Sequence, residues 1–387
     1  MVGCGGKNEP ETISRPRAVA TLALDEGTIA CQMQLEGHSD GTVTLALPSA
    51  PFAMEAITCS PQVVTMDEQD GELRLGLEGK GEYRLDLSFT LSLPKEGAAY
   101  YAKHLYYVPD YLPRLVATPT DYTVTVTLPS EYVLVHAGDL TYRHYADGVQ
   151  TRTYEIERAS SLLLVAGTAL VKAPIEGVAY YSTGDPLAEL SARQIEQAAD
   201  LFGTTWGQRR LDAVVALSDP TAYEGIAVVP PRESATSSAG VYSAASLYWK
   251  TLPVDDDAHP WVARSLTEYA VWYYYRSTDE RAAYNLYLSA YRGATAYDYL
   301  SGNKPRLDLP LAAYDEEARS AILECKGFLM WYSLYQVAGE RLNLALKALP
   351  LGKAMDDKAF VQALIERLGP EYATFFEAWL GGAVLLL

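Results

Sequence analysis

The residue types able to hold a metal are sparse in this chain, and their spacing is wrong for the common sites. The 387-residue sequence has five histidines, His38, His104, His136, His144 and His259, and no two lie four apart. Two imidazoles on one helix reach a single ion at that spacing, because residues four apart share a face. The four cysteines, Cys4, Cys31, Cys59 and Cys325, contain no Cys-x-x-Cys pair, so a structural zinc site is not indicated. Asp255, Asp256 and Asp257 with His259 form the densest donor cluster. Hard oxygens suit calcium, but this run lacks the spaced carboxylates and glycine of a calcium loop. It directly precedes Pro260, so an acidic cap on the following helix is the better reading. Cys325 beside Lys326 has the composition of an activated thiolate. Its apolar helical surroundings favour a buried structural cysteine. The chain has no Gly-x-Ser-x-Gly elbow, no phosphate loop and no Gly-x-Gly-x-x-Gly after a strand. Among its 29 tyrosines, Tyr273, Tyr274, Tyr275, Tyr284, Tyr287 and Tyr291 fall on consecutive helical segments. Rings at that spacing fill helix interfaces with their hydroxyls outward, in preference to lining an aromatic cleft.

The bulk composition narrows the classes. With 49% hydrophobic and 21% charged residues the chain can bury a sizeable core. Its net charge of −18 repels phosphate backbones and anionic headgroups, which excludes nucleic acid as a partner and disfavours adhesion to lipid. No run approaches the ~20 apolar residues of a membrane span. Met1-Val2-Gly3-Cys4 resembles the end of a bacterial lipoprotein signal, followed by a polar Gly5–Pro10 stretch. This predicts an extracytoplasmic protein, lipid-anchored to the bacterial cell membrane through Cys4. In that setting Cys31 and Cys59 form one disulfide; two buried free thiols are the equal alternative.

The elements that must position any site follow from periodicity. Residues 1–17 are expected to be a disordered tether. Leu73, Leu75 and Leu77 alternate with polar residues, as do Tyr83, Leu85, Leu87, Phe89 and Leu91, and Tyr122, Val124 and Val126. Period two marks strands with one buried face. Further strands are expected over 28–35, 42–47, 151–157 and 162–166, giving an N-terminal antiparallel β-sandwich over 18–175. Near residue 175 the pattern changes. Asp185-Pro186 signals a helix start. Residues 211–217 and 225–229 look like buried strands, and helices are expected over 260–276, 279–299, 314–338, 340–348, 356–368 and 370–380. The fold class is multidomain α+β, with a mixed second domain over 176–387 whose C-terminal part is mostly helical.

That order, and several segments in it, resembles the aminopeptidase N and leukotriene A4 hydrolase family of gluzincin metallopeptidases. Tyr223-Glu-Gly-Ile-Ala-Val-Val-Pro-Pro-Arg-Glu233 is similar to the edge strand of that family's peptidase cleft. Trp261-Val-Ala-Arg-Ser-Leu-Thr-Glu-Tyr269 resembles the helix that starts Trp-Leu-x-Glu-Gly-x-Ala-x-Tyr, and Tyr314–Gly339, with Lys326-Gly327, resembles the helix carrying Tyr-x-Lys-Gly. The resemblance implies a thermolysin-like second domain.

In that family a His-Glu-x-x-His helix gives two zinc ligands and a general base, and a Glu on the next helix completes the site. Counting back from Trp261 without gaps places Val241 and Ala245 at the histidines, Tyr242 at the base and Arg264 at the third ligand. A guanidinium ~4 Å from a cation costs on the order of 4 kcal/mol per unit of metal charge at an effective dielectric of about 20. The proton-donating Tyr corresponds to Glu324, and the Glu that holds the substrate amine has no clear counterpart, although Glu224 lies near. The resemblance therefore predicts no cofactor and no catalytic residue. It predicts a non-catalytic pseudopeptidase with a vestigial cleft of Tyr242, Glu224, Arg264, Glu268 and Glu324 that takes a peptide or protein ligand. The alternatives are an active zinc aminopeptidase-like metallopeptidase with a rearranged site, or a structural lipoprotein component of a membrane transporter complex.

Overall fold

A computed structural model describes residues 15–69, 71–116, 118–173, 178–183, 188–217, 221–230, 238–249, 261–301, 306–307, 309, 313–349 and 356–381. Cys4, most of the expected tether, Asp185-Pro186 and the Asp255–His259 cluster lie outside them. No helix among the described residues is long and apolar enough to cross a membrane.

The alternating segments form strands. Gly81–Ser92 buries Tyr83, Leu85, Leu87, Phe89 and Leu91 on one side. It lies in a seven-stranded sheet ordered Asp139–Ala146, Val149–Ala159, Thr120–Pro129, Arg17–Asp25, Thr28–Ser39, Gly81–Ser92 and Phe52–Ser60. The expected antiparallel sandwich has one exception: Arg17–Asp25 runs parallel to Thr120–Pro129, with Ala18 opposite Tyr122. A four-stranded sheet ordered Arg114–Leu115, Thr42–Ala46, Glu72–Leu77 and Val63–Gln69 shares its core, where Leu22, Leu85 and Phe89 meet Leu45 and Leu75. Cys31 stands opposite Phe89 and Cys59 opposite Leu85, four places apart on the strand between them, and both are free thiols.

A second four-stranded sheet, Val133–His136, Leu163–Gly167, Leu105–Pro109 and Tyr100–Ala102, couples the two halves. Its Val135 and Val165 pack with Val215, Ile226 and Val228 of the following sheet in one apolar cluster. That following sheet has Ala179–Ser182, Ala213–Ala216 and Ile226–Val229 in parallel, with Thr221–Tyr223 antiparallel at the edge. Helices α1 (Ala188–Trp206) and α2 (Ala239–Trp249) join this sheet to α3 (Trp261–Thr278) and α4 (Glu280–Ser301). The expected helix over 314–338 is interrupted by a π-helix, Arg319–Lys326, before α5 (Gly327–Ala338) resumes. Helices α6 (Glu340–Lys347), α7 (Asp357–Leu368) and α8 (Ala373–Gly381) are the last described helices.

Two buried polar arrangements hold these layers. Asn343 on α6 receives the Trp206 indole N–H at 3.1 Å and the Tyr269 hydroxyl at 3.0 Å, and donates to Glu340 at 2.9 Å. It thereby ties α1, α3 and α6 at one point. In the sheet region, the buried His136 donates from Nδ1 to the Ala137 carbonyl at 2.7 Å and accepts the Tyr111 hydroxyl at Nε2. Burial pushes the His136 imidazole down to about 4.

Replacing Asn343 by Leu leaves two buried donors unmet, and a loss of about 2–4 kcal/mol is expected, read by denaturant melts. His136 gives a pH signature. Its folded value lies below the ordinary 6.5, so its contribution is intact above that value and is lost as pH falls towards 4. Melts between pH 7 and 4 should fall more steeply for the native chain than for His136→Gln.

Candidate functional site

Helix α2 is buried on nearly all sides, and Tyr242 is the residue it turns partly outward. Ser243 anchors the helix to the sheet by donating to the Val228 and Ala239 carbonyls. Val241 and Ala245, one turn apart, are fully buried in the helical core. On α3, Arg264 and Glu268 are likewise one turn apart and share a face.

The Tyr242 hydroxyl donates to Glu268 Oε2 at 2.6 Å, which ties α2 to α3 at the site. Arg264 Nη1 lies 3.8 Å from Glu324 Oε1, which ties α3 to the π-helix. A π-helix widens the backbone by one residue per turn and recurs at functional sites. Here it buries Leu323 and Lys326 while presenting Glu324 and Cys325 to the neighbouring helices. A cavity of about 150 Å³ lies between Tyr242, Glu268, Glu324 and Cys325 on these elements and Leu286 and Ala290 on α4.

The electrostatics follow from burial. Desolvation pushes Glu268 up to about 7; the Glu324 charge adds to this and the Tyr242 hydrogen bond opposes it. Tyr242 rises well above the ordinary phenol value, first through burial and then through the Glu268 charge. Cys325 is raised to about 11 by burial, so its thiol stays protonated at neutral pH, in line with a structural cysteine. The Arg264–Glu324 pair is 39% and 40% exposed, so solvent screens it and its net worth is about 0–1 kcal/mol.

Of the five residues expected to share a cleft, Tyr242, Glu268 and Glu324 line the cavity, and Arg264 reaches it through Glu324. Glu224 does not line it. It sits in the turn between Thr221–Tyr223 and Ile226–Val229, where burial raises its carboxyl to about 7 and the Arg209 charge partly offsets this. The α4 wall escaped the sequence reading. Its signal was the stripe Leu286, Ala290 and Gly293, where a Cβ on Gly293 would lie 2.8 Å from Cys325 Sγ.

No sequence-family description matches the chain, and no curated protein does either. Solved structures do. The M1 zinc metallopeptidase of Deinococcus radiodurans superposes with a TM-score of 0.72 at 19% identity, covering 97% of this chain and 95% of that one. A mutant of that enzyme bound to a Tyr-Ser-Ala substrate gives 0.70 at 18%, with coverage of 97% and 95%. A mutant two-domain M1 zinc metallopeptidase bound to L-arginine gives 0.73 at 17%, again covering 97% and 95%.

These neighbours correct the expectation of a non-catalytic pseudopeptidase. They are metallopeptidases, and they fit the alternative of an aminopeptidase-like enzyme better. The expected cleft is present, and the Glu268 in it is a desolvated carboxyl. Over nearly its whole length, the chain has the fold of the two-domain M1 zinc metallopeptidases.

Proposed function

We propose that the chain is an aminopeptidase-like peptide hydrolase with a rearranged site, acting at the N-terminal end of short peptides beside Glu268. The single observation that carries this is Glu268: a carboxyl raised to about 7, held by Tyr242, in a cavity of a fold shared with M1 peptidases. A general base works best when its pKa lies near the working pH. Support also comes from the neighbour whose structure holds a tripeptide substrate.

The fold implies a zinc ion, and the donors do not fit one. By spacing from Trp261, the ligand positions fall on Val241, Ala245 and Arg264. The first two are fully buried hydrocarbon and the third is a cation. Among the described residues, no three His, Cys, Asp or Glu side chains come together in a way that could hold a metal ion.

The chain's own groups supply a proton path. Ionised Glu268 takes a proton from water as the water oxygen bonds to the scissile carbonyl carbon. The same proton then passes to the leaving amine as the carbon–nitrogen bond breaks. Tyr242 keeps the carboxylate oriented, and Glu324 keeps its proton affinity high.

Peptides incubated with the protein should lose their N-terminal residue, with a rate that rises through about pH 7 as Glu268 loses its proton. Glu268→Gln should lower that rate by roughly 100-fold or more. The assay is mass spectrometry on a tripeptide panel, and intact peptides across the panel would overturn the hydrolase reading. Stability gives an independent check. Glu268 is raised in the folded state, so its contribution is best below its ordinary 4.5 and declines as pH rises to about 7. Glu268→Gln should match the native chain in melts near pH 4 and exceed it at pH 8.

A further inference from the structure

We infer that the Arg264 guanidinium is the fixed positive charge of this cleft, standing where the M1 fold would carry a metal ion, and that it receives an oxygen of the bound peptide. The inference rests on the cleft proposed above and assigns its electrophilic partner.

Three observations carry it. The first is placement. Arg264 is one turn before Glu268 on α3, so the cation and the carboxyl share the face towards Tyr242 and Glu324. The second is incomplete pairing. Nη1 lies 3.8 Å from Glu324 Oε1, longer than a hydrogen bond, and among the described residues the buried Nε has no hydrogen-bond partner. A guanidinium presents its donors as a planar fork suited to carboxylate or carbonyl oxygens. The Arg264 side chain is 39% exposed and its ion-pair partner Glu324 lines the cavity, so the guanidinium stands at the cavity's edge. The third is the surrounding donor set. Val241 and Ala245 are fully buried, and their side chains offer a divalent ion no lone pair at the positions where the fold's ligands would stand.

The charges are consistent with this. Ionised Glu268 and Glu324 carry two negative charges at the cavity, and Arg264 carries one positive charge beside Glu324. A peptide bound with its ammonium towards the carboxylates and a carbonyl oxygen towards the exposed part of the Arg264 side chain would meet both signs. As negative charge grows on that carbonyl oxygen, a prepositioned donor stabilises it without reorganisation.

The test is metal content and ligand binding, read without turnover. The purified protein, equilibrated with zinc and dialysed, should hold well under one zinc per chain. Binding of trialanine should weaken roughly tenfold in Arg264→Gln and be partly restored in Arg264→Lys, which keeps the charge but not the fork. One tightly held zinc per chain, lost in Glu324→Gln, would overturn the inference, as would trialanine affinity equal in the native chain and Arg264→Gln. Zinc-free protein that binds trialanine through Arg264 but leaves every peptide intact would sink the hydrolase reading and uphold the charge assignment.

Discussion

The cleft depends on one close contact between helices. A Cβ on Gly327 would lie 2.6 Å from the Cβ of Ser265, so glycine there sets how near the π-helix and α5 approach α3. Ser265 accepts the Trp331 indole N–H at 2.7 Å and bonds back to the Trp261 carbonyl, which fixes that contact in register. Glu324 lies three residues before Gly327, and Arg264 immediately precedes Ser265. Their pairing at 3.8 Å follows from the backbone contact. Gly293 plays the same part on the other side, where α4 meets Cys325.

Desolvation shapes the chemistry of two carboxyls in different ways. Glu224 and Glu268 both rise to about 7. Glu224 faces the cation Arg209, which draws it back down. Glu268 faces a neutral hydroxyl and a like-charged neighbour. A hydroxyl can donate to the carboxylate and accept from the protonated acid, so the Tyr242–Glu268 contact can persist in both states. A carboxyl held in this way changes charge near neutral pH with little demand on the surrounding helices. That separates it from His136, where burial alone sets the ring against carrying a charge.

The sequence made parts of this structure legible and left others hidden for physical reasons. Strands with one wet face announced themselves by alternation, as in Gly81–Ser92. Asp139–Ala146 did not, because as an edge strand it is exposed on both faces. Helix α2 has buried residues on nearly every side, so no apolar stripe marks it as helical. The π-helix was invisible for a related reason: one extra residue per turn leaves a pattern that still passes for an α-helix. Spacing from Trp261, with the Lys326-Gly327 motif for Glu324, nonetheless brought Tyr242, Arg264, Glu268 and Glu324 into one neighbourhood. It failed for the α4 wall, which meets the site only through tertiary packing.

Helix α3 shows why fold and donor set can part company. One face, with Trp261 and Ser265, packs on α5 through Trp331. A second, with Tyr269 and Trp272, packs against Tyr335, and the Tyr269 hydroxyl also reaches Asn343. The third carries Arg264 and Glu268 to the cavity side. The first two faces need volume and a few hydrogen bonds, which many sequences can supply while keeping the architecture. That is enough for a TM-score of 0.72 at 19% identity. The third face answers to chemistry alone, and its residues contribute little to packing. Such a face can exchange a metal's ligands for a guanidinium and a desolvated carboxyl while the helix stays in place. The proposed activity therefore rests on side chains that the shared fold does not dictate.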